Sequence, residues 1–418
     1  HPRAIADALS WCREGKALFI IATKSGGTVE TLSLYRILRQ EFDDGARFVA
    51  ITDPHSALAT LARGEDFREV FINPPDIGGR FSATSLFGLI PAALAGVVIK
   101  DALIRVEDMI AACRMTPASN NPGAEFAAFM AAGQRTGRWH LRLAFGRDVR
   151  GFAAWVEQLV AESTGKGGIG ILPVPGAFDT STETGPEAVK HSIVASLCTF
   201  AHPDEKFAQE CEDAGAPTES LVMPEAADLW AETVRWEVAT ALCGKLLGIN
   251  PFDEPDVSAA KAATNGILDG SLQPVEPDSC RSANKLADLT GMFKSELAEL
   301  AADDYLAVLL YVAPIGSDRQ RAASLREALQ RRTKAAVTVQ FGPRYLHSTG
   351  QLHKGGPAKG VFIVAHDLDS IEVGGDVDVT IPGGDMTAAR LLTAQMHGDI
   401  AVLKERGKAV HSVSVPGP

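Results

Sequence analysis

Five clusters of residues in this chain have types and spacings suited to chemistry. The first is Thr23-Lys24-Ser25-Gly26-Gly27-Thr28, with Thr31 shortly after it. It follows the apolar run Leu18 to Ala22 and precedes a segment with helical spacing, Leu34, Ile37 and Leu38. A strand, a hydroxyl- and glycine-rich turn and a helix in that order aim N–H groups and hydroxyls at one point, at the positive end of a helix. That arrangement suits a phosphate, and so a phosphorylated metabolite. Glycine turns after strands are common, so the hydroxyls carry the argument.

Four further clusters lie downstream. Gly78-Gly79-Arg80-Phe81-Ser82 lets backbone approach a ligand closely, and Arg80 there can stabilise an oxyanion or a phosphate. A surface arginine in a turn would read the same way. Glu162-Ser163-Thr164-Gly165-Lys166 ends a helical stretch. A carboxylate at a helix C-terminus feels the negative end of the dipole, which favours its protonated form and moves it toward general-base range. An ordinary exposed glutamate is the plain alternative. Leu247-Gly248-Ile249-Asn250-Pro251-Phe252-Asp253 is a turn followed by Lys261 among alanines. Small neighbours leave room for a ligand, and equally suit a simple alanine-rich helix. Tyr345 to Gly356, YLHSTGQLHKGG, places His347 and His353 around a Ser/Thr/Gly/Gln loop. Nothing at short spacing supplies further metal ligands. An acid–base histidine is therefore the sharper reading, against solvated loop histidines.

These clusters need elements to position them. The chain has 418 residues, 46% hydrophobic and 22% charged, enough for two domains with full cores. A net charge of −12 argues against a nucleic-acid partner. Cys12, Cys113, Cys198, Cys211, Cys243 and Cys280 are scattered, as for free thiols in a reducing cytoplasm. The apolar stretch Phe87 to Ile99 contains Pro91 and is too short to span a membrane. The chain opens on HPRAIADALS, a loop entering a helix ahead of the first strand. An open α/β sheet normally begins with a strand, so residues upstream are expected to be missing.

Strands are expected at 17–22, 47–52 and 68–72, with a long apolar helix at 82–99. Residues 150–270 read as more helical, with a strand-like IGILPV, and 266–280 reads as a connector. Strands follow at 305–312, 335–341, 360–365 and 409–414, with helices at 317–333 and 385–406. The division is 1–150, 151–285 and 286–418: an α/β lobe with the phosphate turn, truncated at its N-terminus, a helical middle carrying Glu162 and Lys261, and a second α/β lobe. Alternating strands and helices predict mainly parallel sheets flanked by helices.

Taken in order, the Thr-Lys-Ser-Gly-Gly-Thr turn with Glu30-Thr31, GGRFS, Glu-Ser-Thr-Gly-Lys and INPFD with its lysine make this chain resemble phosphoglucose isomerases over at least residues 17–265. In those enzymes the histidine motif lies between the catalytic Glu and Lys. Here GPRYLHSTGQLHKGGP follows Lys261, which looks like the isomerase part of bifunctional transaldolase/phosphoglucose isomerases. The resemblance implies two sugar-isomerase (SIS) lobes and interconversion of glucose 6-phosphate and fructose 6-phosphate, in glycolysis and gluconeogenesis, without metal or other cofactor. It implies phosphate binding by Thr23, Lys24, Ser25, Thr28 and Thr31, enediolate stabilisation by Arg80, and proton transfer between C2 and C1 by Glu162. Lys261 and His347 would assist ring opening, with Gly79, Gln351 and His353 near the substrate. Gly27 stands where a threonine is usual, and the family's earlier glycine-serine phosphate loop has no counterpart. The implied partners are the sugar phosphate, a transaldolase domain upstream and further copies of the chain, with no membrane. A non-catalytic sugar-phosphate sensor would need the turn but not Glu162, Arg80 or Lys261. A dual glucose/mannose 6-phosphate isomerase would need all of them.

Overall fold

The structure, a computed structural model, describes residues 1–176, 183, 185–203, 206–371 and 377–417, and of residues 317 and 318 the backbone only. The chain forms two compact units, His1–Asp108 with Ile371–Leu391, and Met109–Ser370 with Leu392–Pro418.

The first unit is built on a parallel sheet in the order β1 (Phe19–Ala22), β2 (Phe48–Thr52), β3 (Glu69–Ile72). The apolar run FVAIT makes β2 the central strand, buried at every position. Helices α1 (Pro2–Glu14), α2 (Val29–Glu41) and α3 (Ala57–Gly64) accompany it. Their core joins Phe19, Tyr35, Phe42, Phe48 and Leu58, with the rings of Phe19 and Phe48 stacked at 4.9 Å. Burying each such side chain is worth about 1.5–3 kcal/mol. The single helix expected at 82–99 is two: α4 (Leu86–Leu94) and α5 (Ile99–Ala112). Gly96, at φ +92°, turns the chain between them.

The second unit carries two parallel sheets. One has the order β5-β4-β6-β7, with β4 His140–Phe145, β5 Leu172–Pro175, β6 Ser192–Thr199 and β7 Thr218–Met223. The stretch 151–285, expected to be mainly helical, thus holds three of these strands as well as helices, and also a strand of the other sheet at Ser279–Ser282. β4 escapes a sequence reading because His140 and Arg142 interrupt its apolar pattern; both are nonetheless buried. Arg142 is neutralised there by Glu183 at 2.9 Å, and Glu183 also pairs with Arg326 at 2.9 Å. Helices α6 (Pro122–Arg135), α7 (Ala153–Thr164), α8 (Lys206–Asp213) and α9 (Leu229–Leu247) belong to this part. Phe126 of α6 meets Trp236 of α9 edge to face at 4.5 Å.

The other sheet has the order β10-β9-β11-β12-β8, from β8 (Ser279–Ser282), β9 (Tyr305–Tyr311), β10 (Ala336–Phe341), β11 (Gly360–His366) and β12 (Ala409–Ser414). β8 lies in the expected connector, and α10 (Pro255–Asp269) fills the stretch before it. Along β9, Leu306, Val308 and Leu310 face a core shared with Phe293, Leu297 and α11 (Ser317–Gln330). Tyr305 and Tyr311, at the alternate positions, meet His353 and Tyr345 instead. The last helices are α12 (Gly350–Gly355) and α13 (Ala388–Glu405). The architecture is the expected one, α/β with parallel sheets flanked by helices.

Candidate active site

In the first unit the hydroxyl-rich turn leaves β1 at Thr23 and enters α2 at Thr28. Thr23 Oγ1 and Thr28 Oγ1 lie 2.8 Å apart, so the two hydroxyls share a hydrogen bond across the turn. Ser25 is exposed, and its Oγ accepts from Gly27 N at 3.2 Å. Gly26 has φ +74°, and a Cβ there would stand 2.6 Å from Leu58 N. The first turn of α3 therefore sits directly on the loop, and only glycine fits. Thr52 Oγ1 donates to Thr23 O at 2.7 Å and is bonded to Ser56 Oγ, the N-cap of α3, also at 2.7 Å. Lys24 is ion-paired with Asp53 and donates to Pro75 O at 2.7 Å, so its ammonium already has two oxygen partners. Thr31 is half-buried in the first turn of α2. Gly79 is exposed at the start of a single helical turn, Gly79–Phe81. Arg80 is buried within that turn, with its guanidinium 5.7 Å from the centre of the Phe81 ring.

In the second unit Glu162 lies in the last turn of α7, only 8% exposed, and accepts from Gln158 Nε2 at 3.3 Å. The chain then turns sharply. Thr164 Oγ1 donates to Val160 O at 2.7 Å and accepts from Ile171 N at 3.0 Å. Lys166 Nζ donates to Asn250 O at 2.5 Å and pairs with Asp253 at 2.8 Å. The Glu-Ser-Thr-Gly-Lys and INPFD segments are thus tied together.

Gln351 completes the junction. Its Nε2 donates to Gly165 O at 2.9 Å and to Asp256 Oδ2 at 2.7 Å, and its Oε1 accepts from Asp256 N at 2.9 Å. Gly168 N donates to Gly355 O at 2.9 Å. A Cβ on Gly165 would fall 2.3 Å from Leu352 Cα, so helix α12 packs directly on the turn after Glu162. The histidine segment, displaced in sequence, is joined to the other two in space.

The two histidines of that segment differ. His347, half-buried, ends the single turn Arg344–His347. His353 is fully buried. Its Nδ1 lies 3.0 Å from the Tyr305 hydroxyl and its Nε2 lies 3.2 Å from Gln340 Oε1, so Nε2 carries the proton and Nδ1 accepts. Burial pushes its pKa well below the usual histidine value, helped by Lys354 and Lys408. It is a neutral core residue. Lys354 beside it is also buried, paired with Asp399 at 2.5 Å. Lys261 is exposed on α10, next to Ala260 on that helix's buried face. Among the described residues no cluster of three or more His, Cys, Asp or Glu is placed to hold a metal ion.

No family model matches the chain. It is 32% identical over 307 residues to a glucose-6-phosphate isomerase of Parabacteroides distasonis, covering 62% of this chain and 68% of that protein. The chain belongs to the glucose-6-phosphate isomerase family.

A glucose-6-phosphate isomerase of Symbiobacterium thermophilum is 28% identical over 312 residues, covering 64% of this chain and 69% of that protein. The fold recurs in a hypothetical protein from Thermus thermophilus (TM-score 0.59, 23% identity, 64% of this chain and 75% of that one). It recurs also in a glucose-6-phosphate isomerase from Chlamydia trachomatis (TM-score 0.52, 21% identity, 64% of this chain and 62% of that one). In this member of the glucose-6-phosphate isomerase family, sequence reasoning missed what Asp256 and Lys166 do and how completely Gln351 joins the segments. It also missed Glu157, on α7 with Glu162. Glu157 is buried, and its carboxyl is pushed up to about 7, mainly by burial, despite the nearby Arg344 and Gln340. No spacing signal marks it, because a glutamate on a helix ordinarily faces water. No helix among the described residues is long and apolar enough to cross a membrane.

Proposed function

We propose that this chain interconverts glucose 6-phosphate and fructose 6-phosphate through an enediolate, and that Glu162 carries the proton between C2 and C1. The observation that carries this reading is the Gln351 junction, which holds the Glu162 turn, the segment leading to Lys261 and the His347 segment in one cluster. Aldose–ketose isomerisation needs one base over two adjacent carbons, a cation for the developing negative charge, and an acid–base pair for the ring oxygen. Glu162, Arg80, and His347 with Lys261 have the chemistry for those roles. Thr23, Ser25, Thr28 and Thr31 would anchor the phosphate, whose remote binding energy holds the sugar in register. Lys24 would join them only by giving up Asp53 or by acting through its charge. Gly79 would let the sugar approach the backbone. Gln351 and His353 would act through the framework, not by touching the sugar.

The reading extends to the chain's setting: two SIS lobes joined by the segment bearing Glu162 and Lys261, a transaldolase domain upstream, a cytoplasmic location and self-association. The test is direct. The purified chain is given fructose 6-phosphate, and glucose 6-phosphate is followed through a coupled dehydrogenase. Turnover that saturates with substrate supports the proposal. Its absence in folded protein refutes it.

A further inference from the structure

Lys24 is the one cation in the turn from Thr23 to Thr28. Its ammonium is engaged outside that turn: it is ion-paired with the Asp53 carboxylate and donates to Pro75 O at 2.7 Å. Asp53 directly follows β2, and Pro75 lies shortly beyond β3. The three strands are parallel, in the order β1-β2-β3. The side chain therefore starts at the end of β1 and meets partners beyond the ends of the other two strands.

A carboxylate at this edge is unfavourable if the edge binds an anion. Ligands of open parallel sheets bind beyond the carboxyl ends of the strands, and Asp53 stands there. Its backbone is fixed to the turn: Asp53 N donates to Lys24 O at 3.2 Å, and Thr52 Oγ1 donates to Thr23 O at 2.7 Å. Its side chain is 14% exposed, against 36% for Lys24. One carboxylate oxygen, Oδ1, is buried without a hydrogen-bond partner. Lys24 is thus the group that compensates this charge, and a half-buried carboxylate needs such a partner.

We propose that Asp53 is a latch on Lys24 that sets the affinity of the turn for phosphate; this rests on the reading of the turn as the phosphate anchor. A phosphate held by Thr23, Ser25 and Thr28 competes with the carboxylate for the same ammonium. Part of its binding energy then goes to opening the pair and leaving Asp53 uncompensated. Lysine suits this use, because its charge is a compact point on a flexible stem. A pair with only a structural role has a different signature. Its two side chains act on phosphate by charge alone, and their effects add. A latch makes the effects interact. Removing Asp53 then helps phosphate more when Lys24 is there to be released.

Isothermal titration calorimetry with sorbitol 6-phosphate tests this. That molecule carries the phosphate but has no carbonyl to isomerise, so the heat does not depend on turnover. Asp53→Asn should bind it at least about fivefold tighter than the parent chain. In a Lys24→Met background, the tightening caused by Asp53→Asn should be smaller by at least about threefold. Circular dichroism confirms that each variant is folded, and one that fails to fold is replaced by Asp53→Ser or Lys24→Gln. Binding by Asp53→Asn no tighter than the parent overturns the latch. So does equal tightening in both backgrounds, which is charge acting alone. In either case, with the parent binding sorbitol 6-phosphate, the latch alone fails. If no folded variant binds it, the latch and the phosphate turn fail together. Coupling in a chain without isomerase turnover supports the latch and refutes the isomerase reading.

Discussion

Gln351 and Asp256 exchange hydrogen bonds in both directions. Asp256 N donates to Gln351 Oε1 at 2.9 Å, and Gln351 Nε2 returns a bond to Asp256 Oδ2 at 2.7 Å. Ninety-five residues separate them. The second proton of the same amide goes to Gly165 O, three residues beyond Glu162. No other side-chain type of this size both donates twice and accepts. Gln351→Glu loses both donated bonds and sets a second carboxylate against Asp256. It should destabilise the fold by about 3–5 kcal/mol, the usual cost of an unpaired buried charge, and urea denaturation measures it. Gln351→Met, which removes the bonds without adding charge, should cost less. Equal stability of the Glu variant and the parent would show that the junction contributes nothing.

Gly165→Ala tests the same junction from the other side. The added methyl meets the backbone of Leu352 at 2.3 Å, which a rotamer change cannot relieve. A loss of about 1–3 kcal/mol is expected from overpacking, together with a fall in isomerase turnover as the Glu162 turn shifts. Unchanged melting temperature and turnover would contradict it.

If the hydroxyl-rich turn at Thr23–Thr28 binds the phosphate, changing it should alter substrate affinity without loss of fold. Ser25→Ala with Thr28→Ala removes two hydroxyls while keeping Gly26, whose positive φ and contact with α3 fix the loop. KM for fructose 6-phosphate should rise roughly tenfold or more, about 1.4 kcal/mol of binding. An unchanged KM would count against phosphate at this turn.

Much of this organisation was legible in the sequence. Strands β1 to β3 and β9 to β12 lie on runs where strands were expected, the hydroxyl-rich turn runs from β1 into α2, and Glu162 lies in the last turn of a helix. What could not be read was compensated polarity. Arg142 looks like a strand breaker until Glu183 lies beside it at 2.9 Å. His353 looks like a loop histidine until Tyr305 and Gln340 occupy its two ring nitrogens. Both depend on partners far away in sequence, and periodicity carries no information about those.

Glu157 makes stability depend on pH. Its folded pKa, about 7, lies above the ordinary 4.5, because burial disfavours the charged form. A folded state that holds the proton more tightly than the unfolded chain is favoured at low pH. The contribution is therefore fully present below about pH 4.5 and lost as pH rises through 7. Glu157→Gln stays neutral at every pH. Its melting temperature relative to the parent should rise between pH 5 and pH 8, by several degrees at about 1.4 kcal/mol per pKa unit. A difference that is flat with pH would contradict a protonated Glu157.

The histidines should separate by the kind of loss they cause. His347→Ala should slow turnover of the cyclic sugar far more than proton exchange on an open-chain analogue, with little change in melting temperature. His353→Ala opens a cavity beside Tyr305 and Phe362 and should cost about 2–4 kcal/mol of stability, with no preference between the two substrates. A ring-specific loss in His353→Ala would reverse the assignment.

The central claim is that Glu162 moves the proton, and isotope exchange reads that step without relying on net turnover. Glucose 6-phosphate deuterated at C2 is incubated with the chain, and loss of the label to solvent is followed by NMR. The account predicts rapid loss with the parent chain. It predicts loss slowed by roughly 10²–10⁴-fold in Glu162→Gln, while that variant still binds fructose 6-phosphate in a calorimeter. Label loss at near the parent rate in Glu162→Gln would contradict the account.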